Sequence, residues 1–211
     1  MNGDYESSFY PDMRDPRVMV MVPHARRAAM SALWGLTARL TKLLIDAREP
    51  LIGQIKLAWW RDMAAMLATD PGALPKGEPL LAELQASWAG QDGLGELVDA
   101  AEVMLFAETG DEKRAASESF GARLFTLSGG SAVGATRWGL LWGAGVEDDE
   151  ATARHLLASA KACDAPSRSN YAGTKALLLL DRWAAAIAEN DGERHLRSEG
   201  LLLLRIGLIG R

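Results

Sequence analysis

Long segments rich in alanine and leucine alternate along the chain with short segments rich in glycine, proline and aspartate. Within the long segments, apolar positions recur every three or four residues, the spacing of one face of an α-helix. Strand-like alternation of β-branched residues is almost absent, and only Val18 to Val22 favours a strand. The pattern predicts an all-α fold with helices at about 24–47, 50–68, 78–90, 94–108, 112–127, 132–143, 149–163, 167–189 and 193–208.

Helix-breaking residues support these boundaries. Pro50 suits the first turn of a helix, where its missing N–H would have no partner in any case. The prolines and glycines of DPGALPKGEP, residues 70–79, predict a loop. Glycine-containing turns at 90–95, 109–111 and 128–130 separate the middle helices. We therefore expect a single-domain helical bundle of eight or nine helices.

The stretch REPLIGQIKLAWWRDMAAML places two adjacent tryptophans on one predicted helix. One apolar stripe at helical spacing consists of Ile52, Ile55, Trp59, Met63 and Met66. Trp60 widens this stripe. Large aromatic side chains usually fill protein cores, so we expect Trp59 to be buried and to stabilise the fold.

Composition and charge narrow the class of protein. A chain of 211 residues with 48% hydrophobic residues can bury one core. The net charge of −5 and the thin spread of lysine and arginine argue against nucleic-acid binding. Cys163 is the only cysteine, and no apolar run approaches the roughly 18 residues of a spanning helix. We expect a cytoplasmic protein, with at most peripheral membrane association.

The N-terminus is acidic and polar and does not resemble a signal peptide. We predict a polar arm over residues 1–22, followed by the helical domain over residues 23–211. The carboxylates of Asp12 and Asp15 have a spacing that could chelate a cation. Because they precede any predicted helix, a solvated leader is the favoured interpretation.

A family resemblance is carried by PHARRAAMSALWGLTARLTKLLIDAREPLIGQIKLAWWRD, residues 23–62. This segment resembles the N-terminal region of squalene/phytoene synthase-like proteins, with an arginine-rich entry followed by an E-P-L-x-G-x-I helix ending in W-W-R-D. Weaker resemblance covers residues 97–108, 117–129 and 165–185. The resemblance implies an isoprenoid-synthase-type helical fold around an apolar cavity. Active members join two prenyl diphosphates, using Mg²⁺ held by aspartates on two facing helices.

The chain departs from this family at the metal-binding positions. Arg39, Lys42 and Ile45 stand where active members carry acidic residues on the first helix, and these side chains cannot hold Mg²⁺. Asp46 and Glu49 lie close to these positions and are candidate remnants of the family's metal ligands. However, a shift of one position rotates a side chain by about 100° around a helix.

The second acidic motif is also altered, because Met104 stands where the family carries an aspartate. Glu102 and Glu108 remain as candidate ligands, but their spacing of six does not place them on one helix face. The family's later aspartate motif is not recognisable, which we interpret as an internal deletion after about residue 143.

Arg26, Arg27, Arg39 and Lys42 form the basic cluster of the chain. Two interpretations stay open for it, a solvated helix face and a contact to a diphosphate or an anionic lipid. The C-terminal helix combines a leucine run with Arg197, Arg205 and Arg211. It either closes the bundle, which we favour, or lies on a membrane surface.

Together these features favour a catalytically deficient squalene/phytoene synthase-like protein. It would bind an isoprenoid or other lipid, or would act as an assembly protein with a protein partner. No cofactor is expected in that case. The alternative is an active prenyl diphosphate transferase in which Asp46, Glu49, Glu102 or Glu108 hold Mg²⁺ in an unusual site.

Overall fold

A computed structural model describes residues 10–47, 49–171 and 175–209, except for the side chains of 196–198 and 207–209. These residues form an all-α bundle, as the sequence predicts, and contain no strand. The helices are α1 Pro16–Met19, α2 Arg27–Ile45, α3 Pro50–Thr69, α4 Pro79–Trp88, α5 Leu94–Phe106, α6 Gly110–Leu127, α7 Thr136–Val146, α8 Glu150–Ala162, α9 Lys175–Glu189 and α10 Leu196–Ile209. Short 3₁₀ turns lie at His24–Arg26, Pro71–Ala73, Ala132–Ala135 and Arg168–Tyr171. Eight of the nine predicted helices are present within four residues of the predicted bounds. The helix predicted over 167–189 corresponds to α9, Lys175–Glu189, and the Arg168–Tyr171 3₁₀ turn occupies the start of the predicted range.

Local chemistry accounts for where these helices begin. Pro50 opens α3 after an extended Glu49. Thr109 and Glu112 form a reciprocal capping box at the start of α6, and Asp149 caps α8. Because each cap satisfies backbone N–H groups that lack a partner within the helix, these boundaries depend on neighbouring residues only.

The core is filled with aromatic side chains around α7. Trp142 stacks on Phe120 with ring centroids 3.8 Å apart, and Trp138 packs edge-on against Trp34. The indole N–H groups of Trp34, Trp138 and Trp142 each have a partner, for example the Oγ1 of Thr41 at 2.9 Å from Trp142 Nε1. The α6 and α7 backbones approach closely at Gly121, where a Cβ atom would lie 2.8 Å from the Cα of Gly139.

The segment before α2 packs onto the core on one side, contrary to the expectation of a solvated arm for residues 10–22. Met13 and Val18 are buried in the core, and Trp138 donates a hydrogen bond to the Pro11 carbonyl at 2.7 Å. Asp12 and Asp15 are also largely buried and pair with Arg14 and Arg17, their neighbours in sequence. Residues 1–9 of the predicted arm lie outside the described residues.

This packing also explains why the Val18–Val22 segment is not a strand. Asp15 caps a single helical turn and accepts a hydrogen bond from the backbone N–H of Arg17 at 2.8 Å. Val18 lies inside this turn and Val22 follows it, both buried. Local capping therefore overrides the β preference of valine.

Helix α3 buries a face that only partly overlaps the predicted one, since Met63 is buried as expected. Trp60 is 4% exposed, whereas Trp59 is 40% and Ile55 70% exposed, so the prediction that Trp59 fills the core is wrong. The helix is apolar on both sides, and its contact with α5 decides which side is buried. At Gly53 a Cβ atom would lie only 3.0 Å from a methyl group of Leu105, so the absent side chain allows α5 to pack there.

Nowhere in the described ranges does a helix combine the length and the apolar character that a bilayer span requires.

Candidate functional site

The four basic residues predicted as one cluster do not converge. Arg27 and Lys42 lie at opposite ends of α2, separated by roughly 22 Å at the helical rise of about 1.5 Å per residue. Arg26 donates to the Ser128 carbonyl at 3.2 Å, and Arg27 donates to the Val22 carbonyl at 3.0 Å.

The C-terminal pair of this cluster is engaged in ion pairs. Arg39 pairs with Glu78 at 3.0 Å and also lies over the Trp60 ring, while Lys42 pairs with Asp46 at 3.0 Å. These residues therefore stabilise the surface of α2 at separate points and do not surround a common space.

The candidate metal ligands are also dispersed. Asp46 is bound to Lys42, Glu102 is bound to Arg61, and Glu49 is the residue before α3. Within the described part of the chain, no three His, Cys, Asp or Glu side chains are grouped so that they could hold a metal ion. Met104 is buried beside the Ser117 hydroxyl.

A different set of basic residues converges between α9 and α10. A cleft of about 430 Å³ lies between these helices and the Arg168–Tyr171 turn. Its charged lining consists of Arg168, Arg182, Arg205 and Glu189. Its apolar walls are Leu178, Ala185, Ala186, Leu202 and Ile206. We call this feature the arginine cleft.

Two of the cleft arginines are available to a ligand. Arg182 is partly exposed and Arg205 is exposed, and neither forms a hydrogen bond or an ion pair with another described residue. Arg168 makes other interactions. With Glu189 as the single carboxylate of the lining, the cleft carries a local excess of positive charge on a chain whose net charge is −5.

A buried ion pair holds α9 in position behind the cleft. Asp181, the residue before Arg182, is fully buried and accepts a hydrogen bond from Arg137 of α7 at 2.9 Å. Arg137 also donates to the carbonyls of Ala160 and Cys163 at the end of α8. This arrangement ties α7, α8 and α9 together and leaves Arg182, the next residue of α9, partly exposed.

The electrostatics of this pair reflect its burial. Burial raises the pKa of the Asp181 carboxyl, although the adjacent charge of Arg137 acts in the opposite direction. Burial also raises the pKa of the Tyr171 phenol, and the proximity of Asp181 raises it further. Tyr171 therefore stays neutral, and it is buried at the end of the 3₁₀ turn, where its hydroxyl donates to the Gly134 carbonyl.

A second buried carboxylate anchors α10 to α9. Glu199 accepts a hydrogen bond from Trp183 Nε1 at 2.7 Å and another from the backbone N–H of His195 at 2.8 Å, and it pairs with Arg194 at 3.0 Å. Burial alone would raise the pKa of Glu199, but the bonds from Arg194 and Trp183 outweigh it and lower the pKa.

The chemistry of the cleft is that of anion binding next to an apolar surface. Guanidinium groups bind phosphate or carboxylate oxygens through two parallel hydrogen bonds, and the adjacent leucine, alanine and isoleucine side chains suit a hydrocarbon. Sequence reasoning missed this site because its arginines come from three distant segments. The local signals were Arg205 in the leucine run of the C-terminal helix and the pair Asp181-Arg182, which interrupts an otherwise apolar helix.

No protein-family model, no curated protein and no solved structure matches the chain.

Proposed function

We propose that this protein binds an anionic amphiphile in the arginine cleft, with a prenyl diphosphate as the leading candidate. Two observations support this proposal. One is the arginine cleft, and the other is the resemblance of residues 23–62 to squalene/phytoene synthase-like proteins. In this view the chain is a divergent relative with an isoprenoid-synthase-type scaffold that binds a lipid without transforming it.

The observation that carries the proposal is the pair Arg182 and Arg205 beside an apolar wall. Each unpaired guanidinium can donate to a diphosphate without first breaking an internal ion pair. The neighbouring Leu202 and Ile206 then cover part of the apolar chain of the ligand. A simple inorganic anion would form only the hydrogen bonds to the guanidinium groups and would not gain the apolar contact.

The positions of the carboxylates favour binding over prenyl transfer. A metal-dependent transfer needs several carboxylates around one Mg²⁺ site next to the diphosphate. Asp46 and Glu102 are instead occupied by Lys42 and Arg61 on α2 and α3. Neither residue lines the arginine cleft.

An assembly role is supported by a separate feature, the outer side of α3. Its exposed apolar side chains are Leu51, Ile52, Ile55 and Trp59. Exposed apolar side chains grouped on one helix often mark an interaction surface. Lipid binding and assembly are compatible because α3 and the arginine cleft use different helices.

Thermal unfolding with and without geranylgeranyl diphosphate tests the proposal. A ligand at about 100 times its Kd raises the free energy of unfolding by about 2.7 kcal/mol, which a melting curve detects. Arg182→Ala and Arg205→Ala should each remove about 1.5–3 kcal/mol of binding free energy, because each deletes charge-assisted hydrogen bonds. Inorganic diphosphate and geranylgeraniol should each bind more weakly than the intact amphiphile.

Lys42→Ala and Arg154→Ala serve as matched controls, because both residues are exposed cations away from the cleft. They should leave the ligand-induced shift unchanged. Loss of the shift in Lys42→Ala with no change in Arg182→Ala would move the site to α2 and reject the cleft. Diphosphate release above a no-protein control in the presence of Mg²⁺ would show that the protein is a transferase.

A further inference from the structure

A second surface feature lies on α5 and the start of α6, away from the arginine cleft. It is an open groove of about 520 Å³. Its lining consists of Asp99, Glu102, Val103, Phe106, Ala107 and Glu112. We call it the acidic groove, because every charged residue in the lining is a carboxylate.

The floor of the acidic groove exposes large apolar side chains. Val103 is 58% exposed and Phe106 is 46% exposed. Their spacing of three residues places them on the same side of α5, and Asp99 lies one helical turn before Val103. The outer side of α5 is therefore a stripe that begins with a carboxylate and continues with two apolar groups.

Negative charge extends beyond the lining. Glu108, on the connection from α5 to α6, and Asp111, in the first turn of α6, are exposed next to Ala107 and Glu112 of the groove. The cation found nearby is Arg61 of α3, which pairs with both Asp99 and Glu102. One guanidinium thus pairs with two of the three carboxylates of the lining, so the groove keeps an excess of negative charge.

We propose that the acidic groove is a docking site for a basic amphipathic helix of a protein partner. Apolar residues of that helix would cover Val103 and Phe106, and its lysines or arginines would face the carboxylates at the rim. Such a helix lays its apolar side into a groove with anchors at helical spacing. Anionic membranes and nucleic acids carry the same sign of charge as the rim and are repelled by it.

The carboxylates contribute mainly to the choice of partner. Charge complementarity raises the rate of association and rejects partners of the wrong charge. The apolar stripe supplies the buried contact that holds the complex together. Glu112 differs from the others, because it accepts hydrogen bonds from the backbone N–H groups of Glu108 and Thr109 and so maintains the shape of the groove.

The test uses a synthetic 14-residue helical peptide of leucine and lysine, labelled for fluorescence anisotropy. A leucine and glutamate peptide of the same length and pattern is the control probe. The wild-type protein should bind the lysine peptide, and the glutamate peptide should bind at least about tenfold more weakly. Rising salt should weaken the lysine peptide complex.

Phe106→Ser and Asp99→Asn should each weaken binding of the lysine peptide by about tenfold, corresponding to about 1.4 kcal/mol. Val133→Ser changes another exposed apolar residue, outside the groove, and should have no effect. Far-UV circular dichroism checks that each variant is folded.

Equal binding of the lysine peptide by wild type, Phe106→Ser and Asp99→Asn would reject the groove as the docking site. Binding of the wild type to phosphatidylglycerol vesicles that is lost in Phe106→Ser would assign the groove to a membrane and also reject the proposal. A dimer in sedimentation that Phe106→Ser dissociates would assign it to a second copy of the chain. Each result is independent of diphosphate binding at the arginine cleft.

Discussion

The arginine cleft and the acidic groove both have apolar walls, but they use their charged side chains in different ways. In the cleft, Arg182 and Arg205 have no partner among the described residues. In the groove, Asp99 and Glu102 are paired with Arg61, and Glu112 caps a helix. The cleft therefore offers free donors that suit a small anion, whereas the groove offers a charged rim that suits a larger partner.

The two regions also differ in what lies beneath them. The cleft is backed by the buried carboxylates Asp181 and Glu199, which position α9 and α10 through ion pairs. The groove lies on α5, which packs against α3 through apolar contacts such as Gly53 with Leu105. Mutations beneath each region should therefore act through different physical mechanisms.

The largest expected effect tests the apolar packing of α3, the helix against which α5 and its groove are packed. Trp60→Ala should lower the free energy of unfolding by about 3–5 kcal/mol, because it opens a cavity beneath α3. Trp59→Ala removes a residue that is 40% exposed and should cost less than about 1 kcal/mol. Urea unfolding of the two variants measures the difference. Equal losses would mean that both tryptophans are buried.

The next effect tests the ionic support beneath the cleft. Asp181→Ala leaves Arg137 buried without its counter-charge and should cost about 3–5 kcal/mol. Replacing both residues, in Asp181→Leu with Arg137→Leu, should cost less than the sum of the single changes, because no isolated charge remains. Glu189→Ala, at the exposed rim of the cleft, is the control and should change stability by no more than about 0.5 kcal/mol.

The smallest of these effects depends on pH. The folded-state pKa of Glu199 is lowered, so its contribution to stability is complete above about pH 4.3, the ordinary pKa of glutamate. As pH falls through the lowered folded-state pKa, that contribution is lost. Glu199→Gln should cost about 1.5–3 kcal/mol at pH 7, through weaker hydrogen bonds to Arg194 and Trp183.

Denaturant unfolding of wild type and Glu199→Gln between pH 7 and pH 3 measures this dependence. The difference between the two proteins should shrink on the acid side of pH 4.3. A constant difference across this range would show that Glu199 does not contribute as an ionised group. In that case α10 would be held mainly by its apolar contacts.

Much of the secondary structure could be predicted from residues that are close in sequence. Pro50 at the start of α3 and Asp149 at the start of α8 act within one turn of their own positions. The short helix at Pro16–Met19 escaped prediction because valine-rich sequence favours a strand and the cap at Asp15 was not recognised. The segment around it lies in the core because Trp138, far along the chain, binds Pro11.

For the candidate site, the sequence predicted only the kind of chemistry, anion binding by basic side chains, and not the residues. The expectation that basic residues would bind an anion stays a prediction, now attached to different residues. Arg39 and Lys42 are close in sequence, yet each is neutralised by a neighbouring carboxylate. Arg182 and Arg205 belong to different helices and come together only because α10 folds back onto α9.

The sequence by itself determined the all-α class and the approximate ends of the long helices, because periodicity, proline and capping act over a few residues. The tertiary structure alone decided which side of α3 is buried and which arginines line a cleft. Helix α3 is apolar on two sides, so its own sequence supports either orientation. Burial is a property of contacts between distant segments, and here the close approach of α5 at Gly53 selects Trp60 for the core and leaves Trp59 exposed.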